Sequence, residues 1–195
     1  MGTIFVDKLD PQSGTSLEIG SSGDTITIPS GCTITNNGTQ SGFGSAMVPA
    51  FHAYLNANQS VSDATDTKCQ FNIEVYDTAS CYDNSTNYRF TPNVAGKYFV
   101  YSQIHCNSNG ANNFLLGTVT IKKNGSNAIY SQLDQRTTAN GYSSSVTASG
   151  VIDMNGSSDY LESFGYIDGS GSSPRLSGNT SGQYSNFGAF KIIDS

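Results

Sequence analysis

The stretch FTPNVAGKYFVYSQI, residues 90–104, decides the fold of this chain. Pro92 and Gly96 predict a turn feeding a long strand, because the proline ring presets one backbone angle and glycine takes conformations closed to other residues. Side chains alternate between the two faces of a strand. Tyr98, Val100 and Ile104 therefore share one face, and Phe99, Tyr101 and Gln103 the other. Rings on both faces predict that both are covered, one by the second sheet of a sandwich and one by a partner subunit. On that reading Tyr98 and Phe187 belong to the core, and Phe99, Tyr101, Gln103 and Phe190 to a subunit interface.

Working outward, strands are expected at residues 50–55, 68–72, 88–90, 97–105, 114–122, 128–132, 143–154, 159–166 and 185–193, with no helix of any length. The fold class is all-β. Two Asn-Gly pairs, Asn124 with Gly125 and Asn155 with Gly156, stand between alternating runs. Both residue types accept the positive φ of a two-residue turn, so a tight hairpin is expected at each.

A chain of 195 residues suits one full domain with a modest appendage. Only 12% of its residues are charged and 21 are glycine, which fits short strands and tight turns, while 11 Tyr and 10 Phe supply the bulk that a disordered chain lacks. The net charge is −6 and the nine Lys and Arg are scattered singly, so no nucleic-acid partner is expected. No stretch approaches the roughly 18 apolar residues of a membrane span, and MGTIFVDKLD lacks a basic region followed by an apolar run. Neither membrane insertion nor an export signal is expected. Cys32, Cys69, Cys81 and Cys106 fit neither a CxxC metal site nor a dense disulfide framework. Full oxidation leaves three pairings open; the lack of an export signal favours free thiols.

The chain divides by pattern into four parts: a docking segment at 1–14, a short shaft at 15–41, a hinge at 42–48 and a head at 49–195. In the shaft, small-residue turns separate short alternating strands whose inward candidates come in pairs: Leu17 with Ile19, Ile26 with Ile28, and Cys32 with Ile34. This is the pattern of a narrow β-prism or β-solenoid. One chain is too thin to bury such a stripe, but three copies around an axis could enclose it, so a homotrimer is expected.

Residues 49–193 resemble the C1q-like domain, which is related in fold to tumour necrosis factor. The resemblance is carried, in order, by PAFHAYLNANQSV, KCQFNIEVYDT, YRFTPNVAGKYFVYSQI, KKNG and SNFGAFKII. Phe90, Pro92, Gly96, Tyr98 and Tyr101 stand where the family pattern places them. It implies a jelly-roll sandwich whose Phe99 and Tyr101 face lies against a threefold axis. Residues VDKLDPQSGTSLEIG and SGDTITIPSGCTITNNGT resemble the opening segments and shafts of phage fibres, especially those of marine phages. That resemblance implies a place in the virion, with the N-terminus joined to other virion proteins. A collagen-like Gly-X-Y stalk is missing before the head, which argues against an animal complement or adipokine protein.

Little in the sequence points to catalysis. His52 and His105 lie on different expected strands, neither near a GxSxG elbow. Glu74, Asp77, Asp153, Asp159 and Glu162 form no paired-carboxylate motif for glycoside cleavage. Asp77, Asp83 and Asp168 could offer oxygens to calcium, but no EF-hand spacing is present. No cofactor and no metal are expected.

The reading that follows is a non-enzymatic virion fibre or spike protein whose head attaches to a host surface glycan or protein. The alternatives are a capsid decoration or tail adaptor of purely structural role, and a glycan depolymerase. Recognition is expected in the loops at 77–87 and 166–184, with Tyr82, Tyr166, Arg175 and Tyr184 available for stacking and hydrogen bonds.

Overall fold

The computed structural model describes residues 9, 11, 13–35, 37–38, 48–110, 113–136, 141–170 and 173–193. The chain forms two compact units, Met1–Phe43 and Gly44–Ser195. Most of the docking segment and, apart from Val48, all of the expected hinge lie outside the described residues.

The second unit is all-β. Its strands are β1 Ala50–Tyr54, β2 Gln59–Ser60, β3 Thr67–Lys68, β4 Ile73–Asp77, β5 Tyr82–Asp83, β6 Arg89–Phe90, β7 Ala95–Asn107, β8 Leu116–Lys123, β9 Ser126–Asp134, β10 Ser143–Asn155, β11 Leu161–Asp168, β12 Arg175–Leu176 and β13 Asn186–Ile193. One antiparallel sheet runs β2-β12-β7-β13-β1-β4, with β10 on the other edge of β7. The second runs β5-β6-β11-β8-β9, with β3 also paired to β11. The two sheets pack face to face. Even-numbered residues of β7, from Tyr98 to Cys106, are buried between them, as are Phe51, Val119, Ile121, Leu161 and Phe187. Tyr98 and Phe187 are thus core residues, as the alternation predicts.

Rings knit this core. Phe51 stacks on Tyr82 at 4.5 Å and on Phe90 at 4.7 Å, and meets the edge of Phe187 at 5.0 Å. Strands from both sheets supply them, so the cluster ties the layers together.

The two Asn-Gly pairs part company. Asn124 and Gly125 take φ of 52° and 80° and close the β8–β9 hairpin, as expected. Asn155 and Gly156 close no hairpin, because β10 pairs with β7 while β11 pairs with β8 in the opposite sheet. Here the Asn155 side chain builds a corner instead: its Oδ1 accepts from the N–H groups of Ser157, Ser158 and Asp159 at 3.0–3.1 Å. Gly156, at φ 73°, lies so close to the start of β7 that a Cβ would fall 2.2 Å from Ala95 N.

Three further expectations are corrected. Gly96 lies inside β7 rather than in the preceding turn, opposite a register shift in β13; the turn uses Asn93 at φ 53°. No single strand spans 68–72, because the chain changes sheets there: β3 pairs with β11 in the second sheet, a contact that the Cys69 N–H extends to Ser163 O, while β4, from Ile73, pairs with β1 in the first; between them the Gln70 N–H is taken by the Gln59 side chain. Phe114 makes only an isolated bridge to Gly141, and β8 starts at Leu116.

Cutting Phe51 to alanine removes the ring that three others contact. Phe51→Ala is expected to cost about 3–5 kcal/mol of stability, measured by urea unfolding.

Candidate functional site

The outward side of the first sheet carries the chain's most distinctive surface. Antiparallel register aligns three rows across it. The first row is Val151, Phe99, Phe190 and Ala50. The second is Ser149, Tyr101, Gly188, His52 and Tyr76. The third is Thr147, Gln103, Asn186 and Tyr54. No residue in these rows is charged.

Phe99 lies 5.5 Å from Phe190 and 6.3 Å from Tyr101, centroid to centroid. Both phenylalanines and Tyr101 are only half-buried in the single chain, and Val151 beside them is 56% exposed. In the next row Tyr101 hydroxyl and His52 Nδ1 are 2.8 Å apart, and His52 Nε2 is 2.8 Å from Gln183 Oε1. A carboxamide oxygen only accepts, so Nε2 donates to Gln183 and Nδ1 shares a hydrogen bond with the Tyr101 hydroxyl. Burial, with the Tyr76 hydroxyl nearby, pushes the Tyr101 phenol up to about 12. The ring is seated over Gly188, where a Cβ would stand 2.3 Å from its hydroxyl. The third row is polar: Gln103 Nε2 donates to Tyr184 O at 3.1 Å, and Thr147 Oγ1 donates to Gln103 Oε1 at 3.3 Å. Phe99, Tyr101, Gln103 and Phe190 therefore share one face, as their spacing predicts.

The outward side of the second sheet is of another kind. Lys68 pairs with Glu162 and Lys122 with Asp66, each at 2.5 Å, and Lys122 Nζ sits 3.8 Å above the Phe164 ring. The Lys68 and Asp66 ends of these pairs are partly exposed while Glu162 and most of Lys122 are covered, so the charges here are satisfied within the single chain.

In the first unit, the described shaft residues form no strand pairing. The stretches expected as strands carry no regular structure between turns, with Asp24 N–H on Ser21 O at 2.9 Å and Cys32 N–H on Pro29 O at 3.2 Å. A single chain offers these stretches no ladder partner. Leu17, Ile19, Ile26, Ile28, Cys32 and Ile34 are all exposed in it.

The expected recognition residues do not gather in one place. Tyr82 is corrected outright: it is buried against Phe51, and its hydroxyl donates to Phe71 O at 3.1 Å. Tyr166 lies on β11, beside Tyr130 in a shallow recess of the second sheet, rather than in a loop. Arg175 is half-buried on β12, with its Nε unpartnered. Tyr184, at the edge of the three rows, tilts against His105 at 5.6 Å.

All but Glu74 of the carboxylates weighed for catalysis or calcium are committed elsewhere. Asp153 and Asp159 line one cleft of about 410 Å³, but Asp153 bonds Lys97 at 2.6 Å and Asp159 bonds Lys123 at 2.8 Å. Lys123 and Asn124 hold the Asp159 carboxyl below its ordinary range, the opposite of what a glycosidic acid needs. Glu162 is tied to Lys68, and Glu74 stands exposed on β4. Asp77 caps its own loop through the Tyr82 and Ala79 N–H groups, and Asp168 accepts from Ser170 N. Asp83 accepts from Ser85, Thr86 and Asn87 N–H groups at 2.9–3.0 Å. Among the described residues no group of three or more His, Cys, Asp and Glu is placed to hold a metal ion. One pairing escapes the sequence: His105 Nδ1 lies 2.9 Å from Ser145 Oγ, brought across by the β7–β10 ladder.

All four thiols are free, with Cys32 exposed and the others buried. Burial pushes Cys69 up to about 12 and raises Cys81 and Cys106 as well, so these three resist reaction.

No protein-family model matches the chain, and no curated protein sequence matches it. Solved structures do. Eiger TNF from S. frugiperda superposes with a TM-score of 0.56 at 15% identity, over 75% of this chain and 93% of that one. The globular domain of zebrafish complement 1qA gives 0.55 at 15% identity, over 75% and 99%. Murine APRIL gives 0.52 at 13% identity, over 73% and 98%. The fold is therefore a jelly roll of the tumour necrosis factor and C1q type.

The Asp83 cap makes a pH test. Hydrogen bonds from the Thr86 and Ser85 N–H groups hold its carboxyl well below the usual range. A pKa lowered by folding stabilises above the unfolded value of about 3.9 and loses that stabilisation as pH falls toward the folded value. Asp83→Asn is expected to lower the melting temperature at pH 7, and the gap from the parent should shrink progressively below about pH 4.

Proposed function

We propose that this chain is the subunit of a homotrimeric fibre or spike on a phage virion, a binding and structural module rather than an enzyme. Three heads pack through the outward side of the first sheet. The exposed isoleucines of the shaft are covered by the other two copies of the same segment, and the head attaches to a host surface. One observation carries the assembly: a charge-free row of Val151, Phe99 and Phe190 crosses three strands of a sheet whose other side is already packed. Contiguous apolar surface of this kind marks an interaction site. On the same side of the sheet the exposed Lys97–Asp153 ion pair stands one row beyond Phe99 and Val151 and marks the margin of this apolar row. Placement in a virion is supported by the fibre-like pattern of the first forty or so residues. Several trimeric heads on one particle would convert weak contacts into durable ones.

Sedimentation of the intact chain is expected to show a trimer, and Phe99→Ser with Phe190→Ser should shift it to monomers whose β spectrum is retained. A monomeric parent at micromolar concentration overturns the assembly. Cys32 gives a second readout: enclosed at the axis it should react slowly with a thiol reagent, whereas the dissociated chain should expose one fast thiol. Gold-labelled antibody on purified particles tests the setting. Label on a free knob supports attachment, while a head buried against neighbouring proteins would assign it to decoration.

A further inference from the structure

Where β1 leaves its sheet, residues 55–60 curve past Gln70, Asn72 and Tyr88 and enclose a cleft of about 370 Å³. That is the size of a small-ligand site. Its lining is unusual for this molecule: none of the nine residues is charged, and five are Asn or Gln.

The walls are held from behind. Gln59 clasps the backbone of one segment, its Nε2 donating to Lys68 O at 2.8 Å and its Oε1 accepting from Gln70 N at 2.9 Å. Asn72 Nδ2 donates to Asn56 Oδ1 at 3.0 Å, while Asn72 Oδ1 accepts from Asn56 N at 3.3 Å. Asn58 Oδ1 accepts from Gly178 N at 3.1 Å, and Gly178 lies against Ala57 so closely that a Cβ would fall 2.1 Å from Ala57 O. These bonds leave hydrogen-bonding atoms unspent: the Nδ2 groups of Asn56 and Asn58, and the whole carboxamide of Gln70, which bonds to none of the described residues. At the cleft's edge Tyr88 keeps a half-exposed ring and a positive φ of 50°, which is costly for a side-chain-bearing residue.

A carboxamide presents donors and an acceptor side by side, and a pair of neighbouring hydroxyls answers both at once. A phenol ring beside them can cover the C–H face of the same ring of atoms. Charged ligands find no counter-ion in the lining, so a phosphate or carboxylate would lose its water without recompense. We propose that this cleft binds a neutral saccharide, held by Asn56, Asn58 and Gln70 and stacked on Tyr88. The inference rests on the attachment reading only for its biological setting, since binding by the cleft requires neither a trimer nor a particle.

The test uses the full chain, titrated by calorimetry with neutral saccharides ending in glucose, galactose, mannose or N-acetylglucosamine, and with matched uronic-acid and phosphorylated sugars. At least one neutral saccharide should bind saturably and the acidic ones should not. Gln70→Ala, whose side chain is exposed and bonds to nothing in the fold, should weaken binding about tenfold, and Tyr88→Phe should weaken it less than Tyr88→Ala. Melting curves of each variant separate lost binding from lost fold. Absence of saturable binding to every neutral saccharide, binding unchanged in Gln70→Ala, or equal binding of the acidic sugars would each overturn the proposal. Sedimentation of the same samples reports the oligomeric state, so a monomer that binds sugar fails the assembly and keeps the cleft.

Discussion

Backbone pairing along β7 governs the head. Its thirteen residues bond to β10 along one edge and to β13 and then β12 along the other, so no residue of the strand is free to rotate a side chain to the opposite face. Once Tyr98, Val100, Ile104 and Cys106 enter the core, Phe99, Tyr101 and Gln103 must face outward. A one-residue slip would bury Gln103 and Lys97 and expose Tyr98. The core rings therefore select the register, and the register in turn builds the outward rows.

The economy of charge sharpens the contrast between the two outward sides. Only 24 of 195 residues are Lys, Arg, Asp or Glu, the sum of the nine basic and fifteen acidic ones, so where they sit is informative. On the second sheet they form ion pairs over Phe164. Across the three rows of the first sheet there are no Lys, Arg, Asp or Glu, and His52, Tyr101, Gln103 and Thr147 have their polar groups in hydrogen bonds. Desolvating such a face costs little, because His52, Tyr101 and Gln183 already satisfy one another within one chain. A face of this composition can be covered without stranding a charge.

What was legible in the sequence is what short range determines. The alternation at 97–105 and the Asn124-Gly125 turn are set by neighbouring residues, and both read correctly. Asn155-Gly156 has the same local chemistry but sits between runs whose partners lie elsewhere in the chain, and the long β7–β10 ladder overrides its hairpin preference. Tyr82 illustrates a different failure. It stands in a stretch rich in Ser, Asp and Asn that reads as an exposed loop, yet Asp77 caps the loop and folds that ring onto Phe51. His105 and Ser145, forty residues apart, meet only through strand pairing.

The carboxamide cleft was illegible for the same reason, and its construction shows why. Asn56, Asn58, Gln59, Gln70 and Asn72 follow no period of strand or helix, and singly each reads as a turn residue. Gln59 serves the backbone in that way, occupying the N–H of Gln70 and the carbonyl of Lys68, and Asn72 does so at the N–H of Asn56. Within a few residues the chain passes from β3, paired with β11 in the second sheet, to β4, paired with β1 in the first. The amides of the cleft gather at that crossing, where side-chain bonds rather than a strand ladder hold residues 55–60 to residues 68–72, so the cleft depends on contacts that no local period in the sequence announces.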